Sequence, residues 1–447
     1  VCGIAGYFSH NLTDTSVLDR MEKIIAYRGP DDKGVAIFTG VKDTSPFRDT
    51  AKISQSKIGL AHRRLSIVDL SQLGHQPMSY SNERFWIVYN GEIYNHLELK
   101  EELLQLGHQF KSQSDTEVIL AAYTQWGEEC LSRFNGMWAF AIFDNHEQKI
   151  FLARDRFGVK PLYYWVSPEG VFYFASEIKQ FSVVDTWVAS LNKQRAYDFL
   201  NWGLCDHTEE TMFEGVYQIR PGNSLTLNQD SQFLSSSPVA TQQWYNLPSD
   251  KFKGTYEDAR NTLRALLKDS VSLRLRADVT VGSCLSGGLD SSSIVCILND
   301  LIDDKAMQKT FSSISDVSKY SEQKWIKEVV RHTKVNDHYV TPSFDQLFSK
   351  LEELTWHQDE PFGSTSIFAQ WNVFELAKKN DVLVMLDGQG ADEQLGGYHG
   401  FFAPLLFGYI KQRKFIKFFQ ELKIIHKLHN YSYGYLLAQV SNMLLPG

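Results

Sequence analysis

The hydrophobic rhythm of this chain changes once, and that change limits it to two differently built halves. Up to about residue 218, short apolar runs alternate with Gly, Asn and Asp turns, as in IGLAHRRLSIVDL, FWIVYNGEIYN, MWAFAIFD, IFLARDRFG, LYYWV and VFYFAS. This rhythm predicts many strands, with helices near 97–106 and 117–126. From residue 256 the pattern becomes a helical stretch to 275, an apolar strand at 279–285, a glycine-rich turn and a helix at 292–301. A second strand, 382–386, runs into another glycine-rich turn. Strand-turn-helix units of this kind predict a parallel α/β sheet. Between them the sequence turns polar and Ser-rich, as in 229–237, which reads as a linker. The expected organisation is a first domain over 2–217, a linker over 218–250 and a second domain over 251–447, without internal repeats. A chain of 447 residues accommodates two domains.

Net charge is −8 and the basic residues form no long run, so the positive footprint of a nucleic-acid binder is missing. Five cysteines, Cys2, Cys130, Cys205, Cys284 and Cys296, without CxxC or Cys/His spacing, argue against a disulfide framework and a zinc site. A reducing, cytoplasmic setting fits them. The first ten residues lack the pattern of a signal peptide, and the densest apolar run, 401–410, is too short to span a bilayer. The expected partners are therefore small molecules, with neither nucleic acid nor membrane.

Cys2 becomes the first residue of the mature chain if Val1 stands for an initiator methionine that is removed. A terminal cysteine carries its own base, because an α-amine titrating at roughly 7.7–8.0 can take the thiol proton directly or through a water. Acyl transfer also needs donors for an oxyanion and a clamp for the substrate's charged end. In YNGEIYN, Asn90 offers a side-chain amide and Gly91 a backbone N–H that a carbonyl can approach closely. The same Asn-Gly pair after an alternating strand signals a hairpin, and a turn would also leave donors exposed.

Taken in order, CGIAGYF, RGPDD, LAHRRLSIVD, YNGEIYNH, SDTE and ARDRFGVKPLYY resemble the glutaminase domain of glutamine-dependent asparagine synthetases, which are class II glutamine amidotransferases. The resemblance implies an α+β fold of stacked antiparallel sheets with flanking helices, of the terminal-nucleophile hydrolase type. It implies Cys2 as nucleophile and Asn90 with Gly91 as oxyanion hole. Glutamine would be bound by Arg64 at its α-carboxylate, by Glu92 and Asp115 at its α-amino group, and by Asn90. One cation and two carboxylates match the charges of a free amino acid. Outside this pattern, Arg64 and Asp115 would read as ordinary surface charges.

In the second half, VTVGSCLSGGLDSSSIV leads a strand into Ser286-Gly287-Gly288, followed by Asp290, Ser291 and a helix. Small residues, hydroxyls and a helix N-terminus suit an anion. The turn is neither a Walker loop nor a dinucleotide fingerprint. SGGLDSS resembles the pyrophosphate loop of ATP pyrophosphatases, which adenylylate an oxygen. Asp290 is acidic where phosphate must bind, which calls for a magnesium ion between them. In LDGQGADEQLGGY the resemblance makes Asp392 the second magnesium ligand. It adds Leu285, Ile314, Asp387 and Gly388 as contacts to ATP.

The reaction implied is a relay in which glutamine hydrolysis at Cys2 supplies ammonia to an ATP-activated aspartate, giving asparagine, glutamate, AMP and pyrophosphate. Two departures qualify it. The family continues well beyond this sequence, so a chain incomplete at its C-terminus is expected. Gln389 stands where the family's turn carries a glutamate, and a neutral amide cannot hold a proton as a carboxylate does. The alternatives are amide transfer to another carboxylate, such as a sugar acid of a polysaccharide, or a regulatory protein with an inactive synthetase half. His357, Asp359 and Glu360 in WHQDEPFG read either as polar groups near that site or as a solvated helix end. Oligomeric state is left open, a homodimer included.

Overall fold

The computed structural model describes residues 1–233, 237–302, 307–317 and 321–443. Strands β1 (Gly3–Asp14), β2 (Asp32–Phe38), β3 (Gln55–Arg64), β4 (Met78–Tyr80), β5 (Phe85–Ile93) and β6 (Gly136–Asp144) come first. They are followed by β7 (Lys149–Arg154), β8 (Tyr163–Val166), β9 (Val171–Ala175), β10 (Val216–Gln218), β11 (Asn223–Leu227) and β12 (Gln242–Gln243). They build two six-stranded sheets, ordered β10-β8-β9-β1-β3-β2 and β12-β11-β7-β6-β5-β4. Neighbours such as β1 with β3 and β5 with β6 run antiparallel.

Period-two alternation explains how these strands bury both faces. In β5, Trp86 and Val88 join Phe8, Ile58 and Leu60 of the other sheet in the layer between the sheets. Ile87 and Tyr89 face outward, onto Val118 of the helix Asp115–Trp126. On the far side, Ala5 and Tyr7 of β1 pack on Val17, Leu18 and Met21 of the helix Ser16–Ile24. The first half is thus a four-layer stack of helix, sheet, sheet and helix, the α+β architecture expected.

The polar segment 218–250 is not simply a linker. Within it, β11 pairs with β7 from Ser224 opposite Ala153 to Leu227 opposite Ile150, and Leu225 and Leu227 are buried. Trp244 stacks on Trp138 at 5.7 Å between ring centroids. A five-residue strand with two leucines among polar neighbours is too short to stand out by periodicity; its partner strands, β7 and β12, define it. Residues 234–236 of the Ser-rich stretch lie outside the described residues, as do 444–447.

The second half is built on β13 (Val281–Cys284), β14 (Lys309–Ser313), β15 (Asn336–Val340) and β16 (Val384–Leu386), paired parallel in the order β15-β14-β13-β16. The helices Leu289–Leu301 and Gln323–Thr333 make the crossovers from β13 to β14 and from β14 to β15. Strand order reverses at β13, which opens a crevice at the carboxyl ends of β13 and β16. A separate cluster, including Leu406, Phe418, Leu422 and Leu436, joins the last three helices. Among the described residues no helix is long and apolar enough to cross a membrane.

Candidate active site

Strand β5 carries its functional residues into a cavity between the halves. Asn90 and Gly91 lie inside the β5–β6 ladder, opposite Ala139 and Trp138, so the Asn-Gly pair is not the hairpin its dipeptide signals. Pairing with β6 overrides the local turn preference, and Gly91 serves close packing instead: a Cβ there would collide with the Met137 carbonyl oxygen. Asn90 is 1% exposed, and neither its Oδ1 nor its Nδ2 has a hydrogen-bond partner. Leaving a buried polar group unpaired costs about 1–3 kcal/mol, a penalty that a bound ligand can remove.

The neighbouring carboxylates follow the same pattern. Glu92 is buried with Oε1 unpartnered, and burial followed by the nearby Asp115 charge lifts its pKa to about 7. Asp115 opens the helix Asp115–Trp126 and accepts from the Tyr89 hydroxyl at 2.8 Å and the Ile93 N–H at 2.9 Å; burial also raises its pKa. Arg64, the last residue of β3, donates to the carbonyls of Ser71 at 2.9 Å, Val68 at 3.4 Å and Asp69. These bonds hold the guanidinium in place at the cavity wall. The Cys2 sulfur accepts from the Leu65 N–H at 3.4 Å, and burial pushes the thiol pKa up. Cys2, Arg64, Asn90, Gly91, Glu92 and Asp115 all line one cavity of about 710 Å³. Its far wall is formed by Phe374, Ala377, Leu383, Val384 and Met385 of the second half.

The residues expected to meet a nucleotide follow three adjacent strands: Leu285 after β13, Ile314 after β14 and Asp387 after β16. In the first turn, the Ser286 N–H and Oγ reach Ser291 Oγ at 3.2 and 3.0 Å, and the Gly288 N–H donates to Ser286 Oγ at 3.2 Å. Gly287 adopts φ +84°, and Gly288 caps the helix that carries Asp290 in its first turn. A Cβ on Gly388 would meet Asp290 Cβ and Ser291 N, both at 3.1 Å, so the two glycine turns touch. Asp387 accepts from Gln370 at 2.8 Å. Leu285 is buried with Val295 and Ile326, and Ile314 packs against them as an apolar floor. Asp392 lies in the short helix Ala391–Leu395 after the second turn. Among the described residues no group of three or more His, Cys, Asp or Glu side chains converges as a metal cage.

Residues 1–238 match the family model of a glutamine amidotransferase domain, and residues 262–443 that of asparagine synthase. A putative asparagine synthetase (glutamine-hydrolyzing) 2 of Methanocaldococcus jannaschii is 35% identical over 419 residues, covering 89% of this chain and 76% of that protein. This chain belongs to the glutamine-hydrolysing asparagine synthetase family. Asparagine synthetase (glutamine-hydrolyzing) 1 of Bacillus subtilis is 34% identical over 417 residues, 91% of this chain. The chain spans 60% of that relative's length. Amidase chyE of Penicillium rubens is 29% identical over 436 residues, covering 91% of this chain and 60% of that protein.

Two cations inside motifs of this asparagine synthetase family chain line the cavity without having been singled out from sequence. Arg28 of RGPDD donates from Nε to the Cys2 carbonyl at 2.8 Å. Lys160 of ARDRFGVKPLYY stands at the wall, with its pKa lowered by burial and then by Arg28. A lone cation in a quoted motif was the only signal for either. WHQDEPFG closes the helix Phe344–Gln358, and its two carboxylates turn from solvent onto the first half. Asp359 pairs with Lys179 at 2.7 Å, and Glu360, lifted to about 7 by burial, accepts from the Met212 N–H at 2.6 Å. The loop docks the asparagine synthase part onto the amidotransferase part.

Proposed function

We propose that this chain carries the two reaction centres of a glutamine-dependent amide-forming ligase. One observation carries the reading: the unpartnered Asn90 amide and Glu92 carboxylate share a cavity with the Cys2 sulfur, and that cavity continues to β16. Glutamine would place its ammonium against Glu92 and Asp115 and its carboxylate against Arg64. Its side-chain carbonyl oxygen would lie at Asn90 and the Gly91 N–H. Cys2 attacks that carbonyl, ammonia leaves, and water hydrolyses the thioester to glutamate.

Because burial raises the thiol pKa, a base must take its proton. Removal of Val1 would give Cys2 its own α-amine for this task.

At the other turn, a substrate carboxylate would attack the α-phosphorus of ATP, releasing pyrophosphate, and ammonia would then displace AMP. Asp290, in the first turn of the helix after the first glycine turn, and Asp392, in the short helix after the second, would hold magnesium together with phosphate oxygens and water. It would neutralise phosphate charge beside the Asp290 carboxylate. The cavity between Cys2 and β16 would be the path for ammonia, which loses its nucleophilic lone pair when protonated in bulk water.

Aspartate is the proposed acceptor. A different carboxylate is favoured by exposed Gln389, whose amide cannot act as a proton acceptor, and by the amidase name of one relative. Pyrophosphate release by the full-length protein with ammonium and a panel of carboxylates tests both. Full turnover with aspartate removes the second reading, and no release with any acceptor removes the ligase reading.

A further inference from the structure

A chain of buried charges joins the two halves, and no step of the proposed chemistry uses it. Asp359 follows the helix Phe344–Gln358 at φ +62°, a left-handed backbone that is unfavourable for a residue with a Cβ. That conformation turns its carboxylate onto the first half, where it accepts from the Ile178 N–H at 2.7 Å and pairs with Lys179 Nζ at 2.7 Å. Lys179 Nζ donates to Glu177 Oε2 at 2.5 Å, and Glu177 Oε1 accepts from Arg28 Nη1 at 2.6 Å. Arg28 Nε then donates to the carbonyl oxygen of Cys2 at 2.8 Å. The four side chains are only 4–13% exposed, from Lys179 to Arg28.

The other end of the chain reaches the nucleotide turns. The His357 ring packs edge-on against Tyr27 at 4.4 Å and tilted against Trp371 at 5.1 Å. Next to Trp371, on the helix Ser366–Lys379, Gln370 donates to Asp387 at 2.8 Å. Buried ion pairs are poor glue compared with apolar packing, but each holds its partner's geometry tightly. A shift at Asp387 therefore has a contiguous route to the backbone of Cys2.

We propose that Asp359 is a positioning residue that sets the Cys2 backbone through Lys179, Glu177 and Arg28, and so makes glutamine hydrolysis depend on the state of the nucleotide turns. This rests on the reading of Cys2 as the glutamine nucleophile. Coupling of this kind acts on kcat, so it need not be mirrored in the affinity for ATP.

The test uses full-length protein and the isosteric variant Asp359→Asn, with ammonium-dependent pyrophosphate release measured beside glutamate release. The expected result is a fall of about tenfold in kcat for glutamine with KM within about twofold and loss of any stimulation by ATP. Ammonium-dependent pyrophosphate release should stay within about twofold, and Lys179→Arg should keep most of the glutamine activity. Unchanged hydrolysis and ATP response, or an equal fall of both half-reactions, overturns the proposal. Should Asp359→Asn fail to fold, His357→Gln serves instead: it should keep basal hydrolysis and lose the ATP response, and a retained response overturns the coupling. Cys2→Ala run in parallel separates the two claims. If it still hydrolyses glutamine, the nucleophile reading falls and takes the inference with it; if it is inactive while Asp359→Asn matches the parent, only the relay falls.

Discussion

The two candidate reaction centres solve the same problem, receiving a charged ligand, in opposite ways. At the Cys2 cavity the polar groups are buried and left unpartnered, as Asn90 and Glu92 are. At the Ser286 turn the hydroxyls and amides bond to one another, through Ser291 Oγ and Ser286 Oγ. The first centre is desolvated in advance and meets its ligand without reorganising, which is what stabilises a developing oxyanion best. The second exchanges internal bonds for bonds to its ligand, so each single group there contributes less. The scaffolds agree with this contrast. Asn90 and Gly91 sit inside a six-stranded sheet buried on both faces, whereas the Ser286 and Asp387 turns lie at the open ends of a four-stranded one.

Substitutions should reproduce that asymmetry. Cys2→Ala is expected to lower glutamate release from glutamine by at least about 10³-fold while leaving ammonium-dependent pyrophosphate release at the parental rate. Loss of both would mean the two centres are not separable. Asn90→Ala should lower kcat for glutamine by about 10²–10³-fold with little change in KM. A loss below tenfold would show that its unpartnered amide is not aimed at an oxyanion, and the contrast between the centres would break.

The acidity of Glu92 sharpens the same point. With its carboxyl lifted to about 7 by burial and the nearby Asp115 charge, the group is charged above that pH and neutral below it. An ammonium needs the charged form, so KM for glutamine should rise as pH falls through 7, by up to about tenfold per pH unit. Glu92→Gln should raise KM and flatten that dependence, and initial rates between pH 6 and 8.5 read both. At the second centre Ser291→Ala should raise KM for ATP by only about three- to tenfold, the worth of one hydroxyl in an already bonded turn. Smallest of all, Arg276→Ala removes a pair to Glu98 at 2.6 Å that bridges the halves but leaves Glu98 57% exposed. Its cost in denaturant unfolding should be no more than about 1 kcal/mol, and a larger one would show that exposed contacts, not the buried Asp359 loop, hold the halves together.

The sequence alone determined the kind of element in each half and the residue types of both centres. Period-two runs such as FWIVYN and strand-turn-helix units such as VGSCLSGGLDSS are written by neighbours along the chain, so they are legible without the fold. Tertiary structure decided what those residues face. Pairing with β6 made Asn90-Gly91 part of a strand and left the Asn90 amide without a partner. Pairing with β7 turned part of a polar segment into β11, and docking buried Asp359 and Glu360 against Lys179 and Met212. Each outcome depends on partners far away in sequence, and hydrogen bonds and burial are assigned only when those partners meet.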